Sequence, residues 1–185
     1  SIYGNFSNST YEFYNIQREK SSSVHAKNQQ KISHQYNLKK ELINFNSKIL
    51  LDTQIYNQAL NTEDKIVDNN LKSGTYYRLF PIFGISSETP FKIKKVLPHL
   101  TINPKIHMTI TPGFSNSNRL SNEDSTNNDF SMDNIYRLNR YSGTDKMDNS
   151  KRITYGITSY SEHFKSSLSQ SYEFTKNSNF HKEQG

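Results

Sequence analysis

Apolar and polar side chains alternate along several stretches of this chain, a pattern typical of β-strands that present one apolar face. The longest stretch runs from Val96 to Thr111 and would extend roughly 50 Å at about 3.3 Å per residue. Pro98 and Pro104 interrupt it, so a bulge or weak pairing is predicted there, because proline has no N–H to donate. Its apolar face carries Leu100, Ile102, Ile106 and Met108, and its polar face carries Thr101, Asn103, Lys105 and His107.

A second stretch begins at Phe164 and has aromatic side chains at both ends of one face. That face carries Phe164, Ser166, Leu168, Gln170, Tyr172 and Phe174, and the other carries Lys165, Ser167, Ser169, Ser171, Glu173 and Thr175. Aromatic residues at both ends of an alternating strand are typical of membrane strands, where the rings lie at the two interfaces. The stretch therefore favours a transmembrane strand over a soluble, half-buried one.

Weaker alternation elsewhere brings the predicted number of strands to about seven. The additional strands are predicted over residues 2–17, 31–42, 44–55, 75–87 and 153–158. The connections are predicted to alternate between long ones, at 18–30, 57–74, 112–149 and 177–185, and short ones, near Ile43, at 88–95 and at 161–162. Outer-membrane barrels alternate long extracellular loops with short periplasmic turns. The predicted fold is therefore all-β, built of antiparallel transmembrane β-barrel strands.

An odd number of strands predicts that the barrel is incomplete. Seven strands alone would leave two unpaired edges in lipid, which a bilayer does not tolerate, and single-chain bacterial barrels have an even number of strands. The first residues also show neither the charged region nor the apolar region expected of a signal peptide. Residues 1–185 are therefore expected to be an internal part of a single, larger outer-membrane β-barrel domain.

The composition suits a barrel better than a soluble core. Only 32% of the residues are hydrophobic and the mean hydropathy is −0.88, yet aromatic residues make up 12% of the chain. Disordered chains are usually poor in aromatics, whereas barrel strands are polar on average and rich in aromatic girdles. The net charge of +6 is scattered along the chain, so it does not choose between a solvated surface, nucleic acid and anionic lipid.

Neither an enzyme nor a cofactor site is predicted. The absence of cysteine excludes disulfides, thiolate metal sites and cysteine nucleophiles within these residues. His99 and His107 share a strand face, but eight residues separate them by roughly 26 Å, too far to share an ion. The sequence also has no Gly-x-Ser-x-Gly elbow, phosphate loop or dinucleotide fingerprint. No catalytic, metal-binding or cofactor-binding residues are therefore expected.

Several short motifs follow one another in the second half of the chain. They are Arg78-Leu79-Phe80-Pro81, Leu100 to Pro112, Asn122-Glu123-Asp124-Ser125, Leu138 to Lys146, Arg152 to Ile157, and Gln170-Ser171-Tyr172. In this order and spacing they resemble the barrel domain of the LptD family of lipopolysaccharide assembly proteins. The resemblance covers Gly74 to Gly185, and the first seventy residues share only the strand rhythm. Lys146 replaces the Arg usual in the family, and Ser169 replaces a frequent Gly.

The resemblance implies a role in the cell outer membrane of Gram-negative bacteria. The chain would be a wall segment of the translocon that inserts lipopolysaccharide into the outer leaflet, and it would not be an enzyme. Implied partners are lipopolysaccharide, an LptE-like plug lipoprotein, periplasmic bridge proteins and outer-membrane lipid, but not nucleic acid. The family motif implies loop packing and assembly roles for Asn122, Glu123, Asp124, Ser125, Arg140, Gly143, Asp145, Arg152, Tyr155 and Gly156, while Lys105, His107, Lys165 and Glu173 are expected to face the lumen.

The long connection before the seventh strand is too apolar in its second part for a free loop. Residues 130–147 are predicted to pack against the barrel mouth or lumen, with Gly143 at a turn. Arg140 and Asp145 form either an exposed loop salt bridge of little energetic value or a pair that holds this loop in place. Two other readings remain open, namely another outer-membrane barrel such as a porin or receptor, and a soluble secreted β-sandwich that binds a partner.

Overall fold

The computed structural model describes residues 4–17, 28–44, 46–67, 70–93, 100–112, 125 and 131–174. All regular secondary structure within these residues is β, so none of the described residues forms a helix able to cross a membrane. The strands are β1 (Gly4–Gln17), β2 (Asn28–Asn44), β3 (Ser47–Val67), β4 (Asn70–Glu88), β5 (Phe91–Ile93), β6 (Leu100–Ile110), β7 (Lys151–Tyr160) and β8 (Lys165–Glu173).

The strands form one antiparallel sheet in the order β1-β2-β3-β4-β6-β7-β8. β5 pairs with the first residues of β6, in the place that β4 leaves free, so β4 and β5 share one position in the sheet. The sheet therefore has seven positions, which confirms the predicted strand number. Across the described ranges it is open, because β1 and β8 do not pair with each other. This is the all-β, antiparallel, incomplete barrel that the sequence predicts.

The two faces of the sheet differ sharply in chemistry. The outer face is apolar and exposed, with Tyr36, Leu79, Phe83, Ile85, Ile106, Met108, Ile157, Leu168 and Tyr172 among its side chains. The inner face is mostly polar and buried, and it includes Lys31, Ser33, Gln58, Thr62, Ser86, His107, Thr109, Arg152 and Thr154. This is the reverse of a soluble protein, and it follows from strict alternation, since neighbouring residues of a strand point to opposite faces. A β-sandwich would instead bury the apolar side of such a sheet under a second sheet.

Pro104 lies where the pairing partner of β6 changes from β4 to β5. Thr89 and Pro90, the two residues between those strands, lie next to it, and the Thr89 N–H donates to the Pro104 carbonyl at 3.3 Å. Because proline has no N–H, the break in the ladder falls where a donor is missing. On its other side Pro104 pairs with Ile157 of β7. Pro98 lies outside the described residues.

The prediction of a long polar loop over residues 57–74 was wrong. β3 continues to Val67 and β4 begins at Asn70, so the strands pair along almost their whole length. Gln58, Leu60 and Thr62 are buried on the inner face, and they alternate with the half-buried Ala59 and the exposed Asn61. β3 pairs with β4 along this stretch and with β2 as far as Glu63, so its main-chain donors and acceptors are satisfied whatever the polarity of its side chains. The polar composition of these residues therefore predicted a loop where the structure has the end of β3 and the start of β4.

β4 extends much further than β6 along the strand direction. β6 ends at Ile110, which pairs with Phe83, whereas β4 runs back to Asn70, roughly 40 Å further at the usual rise per residue. Over this extra length, β4 is paired in the described structure only with β3. We call the junction of Phe83–Glu88 with Lys105–Ile110 the seam.

Candidate functional site: a loop segment on the inner face

Residues 131–150, here called the inner segment, connect toward β7 and lie against the inner face of the sheet. Their apolar side chains provide the packing, since Leu138 and Met147 join Tyr56, Phe80 and Ile82 in one buried cluster. Each fully buried side chain of this size contributes about 1.5–3 kcal/mol by leaving water. The segment is therefore a packed part of the fold, although it contains no helix or strand.

Two glycines of the sheet allow this close approach. A Cβ atom at Gly84 would overlap the Leu138 side chain of the inner segment. At Gly156, a Cβ atom would lie 2.5 Å from both the Tyr136 hydroxyl and the Leu168 carbonyl oxygen. Any larger residue would have to push the segment, or a neighbouring strand, away from the sheet.

The first polar cluster, here called the β7–β8 anchor, consists of Arg140, Asp148, Arg152 and Glu173. Arg140 donates from Nε to Asp148 Oδ2 and from Nη2 to Asp148 Oδ1, the second bond at 3.1 Å. Its Nη2 atom also donates to Glu173 Oε1. Arg152 donates to Asp148 Oδ2 at 2.9 Å. Asp148 and the two arginines are buried, at 0–1% side-chain exposure. The two cations are balanced by the buried Asp148 and the partly exposed Glu173, so the buried charges are stabilised only while all four are present.

The anchor also grips the main chain of the segment. The Arg152 guanidinium donates to the carbonyl oxygens of Arg137 and, at 3.3 Å, of Leu138. Ser150 Oγ donates to Glu173 Oε2 at 2.7 Å, and Ser150 N donates to Thr111 Oγ1 at 2.9 Å. The segment is thereby fixed to the ends of β6, β7 and β8.

The second polar cluster, here called the β2–β4 anchor, holds the tip of the segment. Lys31 of β2 forms a buried ion pair with Asp145, and Gln58 of β3 donates to the same carboxylate at 3.2 Å. Arg78 of β4 donates to the carbonyl oxygens of Thr144 and Asp145, both at 2.6 Å. Three neighbouring strands thus converge on two residues of one turn.

The turn itself is shaped by glycine and by short polar side chains. Gly143 has a φ of 76°, in the left-handed region that glycine adopts most easily. Ser125 Oγ accepts from the N–H groups of Asp145 and Lys146, both at 3.0 Å. Asn139 accepts from Asp148 N at 3.0 Å and donates to the Lys146 carbonyl at 3.2 Å. These bonds satisfy buried main-chain groups that no strand partner reaches.

Burial and neighbouring charges set the protonation of two groups of the segment. Burial alone would lower the pKa of Arg140, but its hydrogen bonds and charge attraction to Asp148 and Glu173 raise that pKa overall. Burial, reinforced by the negative charge of Asp148, raises the pKa of the Tyr141 phenol. Arg140 therefore stays charged and Tyr141 stays neutral at physiological pH.

The residues singled out in the sequence fall into different places. Arg140 and Asp145, considered there as one pair, have their ion pairs in different anchors. Tyr155 is on the outer face, where its hydroxyl donates to Gln170 at 2.9 Å. Ser125 is buried beside the tip. Asn122, Glu123 and Asp124 lie outside the described residues.

The candidates for the lumen all belong to the inner face, with different exposures. His107 is 5% exposed and bonds to Thr109 at 2.9 Å. Lys105 is half-buried with its ammonium 4.7 Å from the Tyr136 ring centroid, Glu173 is part of the β7–β8 anchor, and Lys165 is exposed. Lys105 and Lys165 line an open groove of about 830 Å³ between the inner segment and the β7–β8 turn.

Sequence reasoning missed the main partners of these residues. Asp148 could have been noticed, because it precedes Arg152 by four residues. Lys31 gave no such signal, since it pairs with a residue 114 positions away. Gln58 lies in a stretch whose polar composition predicts a loop, and the motif that contains Arg78 gives no indication of its contact with the tip.

An open antiparallel sheet with an apolar outer face, a polar inner face and a loop folded against that inner face has the construction of an outer-membrane β-barrel wall. The family model described as LptD, LPS transport system D, matches residues 2–185. The chain therefore belongs to the LptD family of outer-membrane lipopolysaccharide transport proteins, as its motifs indicated. No curated protein gives a significant match to the chain.

Proposed function

We propose that this chain forms part of the barrel wall of the translocon that inserts lipopolysaccharide into the outer leaflet of the outer membrane. The observation that carries the proposal is the two-sided sheet, apolar and exposed outside but charged and polar inside, in a chain of the lipopolysaccharide transport family. The wall role needs no catalytic group and no cofactor.

In this proposal the outer face contacts outer-membrane lipid. Apolar side chains on this face lie opposite one another on adjacent strands, as in the cross-strand pairs Ile106–Tyr155 and Ile157–Leu168. Such pairs form continuous apolar surface, which is costly in water and favourable against acyl chains. Aromatic side chains such as Tyr36 and Tyr172 add the amphipathic rings that membrane interfaces favour.

The inner face would border the route of the polar sugars. The groove beside Lys105 and Lys165 is also lined by Glu88, Asp133 and Glu162, so it offers charges of both signs to a passing saccharide. The rings of Tyr136 and Tyr160 add aromatic surface on which sugars can pack. An LptE-like plug lipoprotein would occupy the same lumen, and periplasmic bridge proteins would deliver the lipid from below. Both partners enter the proposal through family membership.

Spin labels on the full-length protein in lipid test the wall assignment. Single cysteines replace Ile106 and Leu168 on the outer face, and their sequence neighbours Lys105 and Ser167 serve as matched inner-face controls. Oxygen dissolved in the bilayer should relax the outer labels, while a water-soluble nickel chelate should relax the inner ones. Equal accessibility at neighbouring positions would contradict a membrane wall.

Depletion of the protein in its native host tests the transport assignment. Newly made lipopolysaccharide should disappear from the cell surface and accumulate inside, and the cells should become sensitive to large hydrophobic antibiotics. A porin or receptor would give a different result, because its loss leaves surface lipopolysaccharide unchanged. That outcome would refute the transport role while leaving the barrel wall intact.

A further inference from the structure

The seam is a short ladder of six residue pairs, and the break at Pro104 separates it from the three further pairs that β5 makes with β6. It joins only Phe83–Glu88 of β4 to Lys105–Ile110 of β6, whereas β2 and β3 pair from Asn28 to Asn44 without a break. A short ladder resists twisting and bending less than a long one, because fewer hydrogen bonds and cross-strand contacts hold it. The two sides of the seam, β2–β4 and β6–β8, therefore need some other connection to keep a defined angle.

The inner segment is such a connection. The end of the segment near β7, here called its stem, is held at Asp148 by the β7–β8 anchor. The turn that contains Asp145, here called its tip, is held by the β2–β4 anchor. Between them, Leu138 packs over Gly84 at the seam. Tyr56, Phe80 and Ile82 receive the apolar side chains between the two anchors. The segment therefore contacts both sides of the seam.

The register of the sheet shows that the segment crosses the seam diagonally. Gly84, Thr109 and Arg152 lie in one cross-strand row, and Asp52 continues that row on β3. Gln58 lies six residues further along β3 than Asp52, roughly 20 Å at the usual rise per residue. The tip is thus held well above the row that holds the stem. A diagonal connection opposes shear as well as bending.

We propose that the inner segment is an internal tie that sets the angle between β2–β4 and β6–β8, and that the Lys31–Asp145 contact is the end that controls it. The tie is a property of the wall and does not depend on what the barrel transports. Its failure would leave each side folded but the angle between them poorly defined.

The tip is the controlling end because nothing local can replace it. In the stem, Asp148 lies only four residues from Arg152 and eight from Arg140, so those charges stay close whatever the two sides of the sheet do. Lys31 and Asp145 are 114 residues apart and meet only when both sides have the right angle. Both charges are buried, at 2% and 0% side-chain exposure, so removal of either leaves the other buried without its ion-pair partner, although Gln58 still donates to Asp145.

Distances between spin labels in the full-length, lipid-reconstituted protein test the tie. One pair of labels, at Tyr36 on β2 and Leu168 on β8, spans the seam. A control pair, at Ile43 on β2 and Tyr77 on β4, stays on one side of it. All four side chains are exposed, so labels there disturb little packing. These label positions are kept while the tip is altered.

Lys31→Ala and Asp145→Ala should each shift or broaden the cross-seam distance by on the order of one strand spacing, about 5 Å, and leave the control distance unchanged. Lys31→Arg retains the positive charge and should restore the narrow cross-seam distance. Asp145→Asn keeps the shape of the side chain and serves if the alanine variant does not assemble. The tie is overturned if neither distance changes, or if both change together.

Discussion

The two anchors of the inner segment contain the same chemistry but differ in how far apart their members lie along the chain. In the β7–β8 anchor, Asp148 pairs with residues four and eight positions away. In the β2–β4 anchor, Asp145 pairs across 114 positions with Lys31 and across 87 with Gln58. The first anchor forms between the segment, β7 and the adjacent strand β8, which carries Glu173. The second requires the whole sheet to be in register, so it reports on tertiary structure that the first does not sense.

The largest expected effect is at the shared carboxylate of the β7–β8 anchor. Asp148→Ala would leave Arg140 and Arg152 buried with only Glu173 between them. Loss of one partner from a buried ion pair costs about 3–5 kcal/mol, and a carboxylate that serves two arginines should lie at the upper end. Unfolding titrations in lipid measure the cost. If Asp148→Ala lowered the free energy of unfolding less than Asp145→Ala does, the ranking of the two anchors would be reversed.

The next effect separates the tip from the stem. Asp145→Ala should weaken outer-membrane assembly or transport, seen as raised sensitivity to large hydrophobic antibiotics, because Lys31 is left buried without its carboxylate. Lys31→Ala/Asp145→Ala should cost less than the sum of the single changes, since the double variant leaves no unpaired charge of this pair. Additive costs would show that the two side chains act independently. A variant lacking residues 130–147 that kept normal assembly and a normal permeability barrier would show that the segment is a passive connector.

A smaller effect is expected on the outer face, away from both anchors. Ile106→Arg should cost about 2–4 kcal/mol if the residue lies near the bilayer midplane, because Ile106 is 46% exposed on the apolar face. Lys105→Arg is the matched control. Lys105 is the sequence neighbour of Ile106, its side chain lies on the inner face, and the change keeps its positive charge. Folding titrations into lipid vesicles that gave equal costs would remove the assignment of faces.

The smallest effect is expected at the turn between the anchors. Gly143→Ala places a side chain on a residue with a φ of 76° and should cost on the order of 1 kcal/mol. The exposed position of Gly143 means that no packing loss adds to the backbone strain. Gly156→Ala, where a Cβ would meet the Leu168 carbonyl oxygen, should cost more. The same unfolding titration compares the two glycines, and equal costs would mean that close packing on the sheet matters little.

Much of the fold could be predicted from the sequence, because alternation is a local property. The faces of β6 and β8 follow from which residues are neighbours along the chain, and the turn at residues 161–164 joins strands whose patterns meet there. The failure at residues 57–74 has the same origin. Polar side chains on both faces erase the alternation, so only the pairing of β3 with β4 reveals the strands.

Less of the candidate site could be predicted. The apolar residues of the segment, including Leu138 and Tyr141, indicated that it is packed, and the motif drew attention to Arg140 and Asp145. Their ion-pair partners could not be read from the sequence, because any acid or base of the chain could have satisfied either charge. The choice depends on which strands lie beneath each end of the segment.

The sequence by itself therefore determined which residues of β6 and β8 share a face, and that one face of each is apolar enough for lipid. It did so because strand geometry alone assigns neighbouring residues to opposite sides. Only the tertiary structure decided the height of the strands at the seam and the pairing of Lys31 with Asp145. These depend on the register between distant parts of the chain, where the energy of each buried charge is set by the groups that the fold brings beside it.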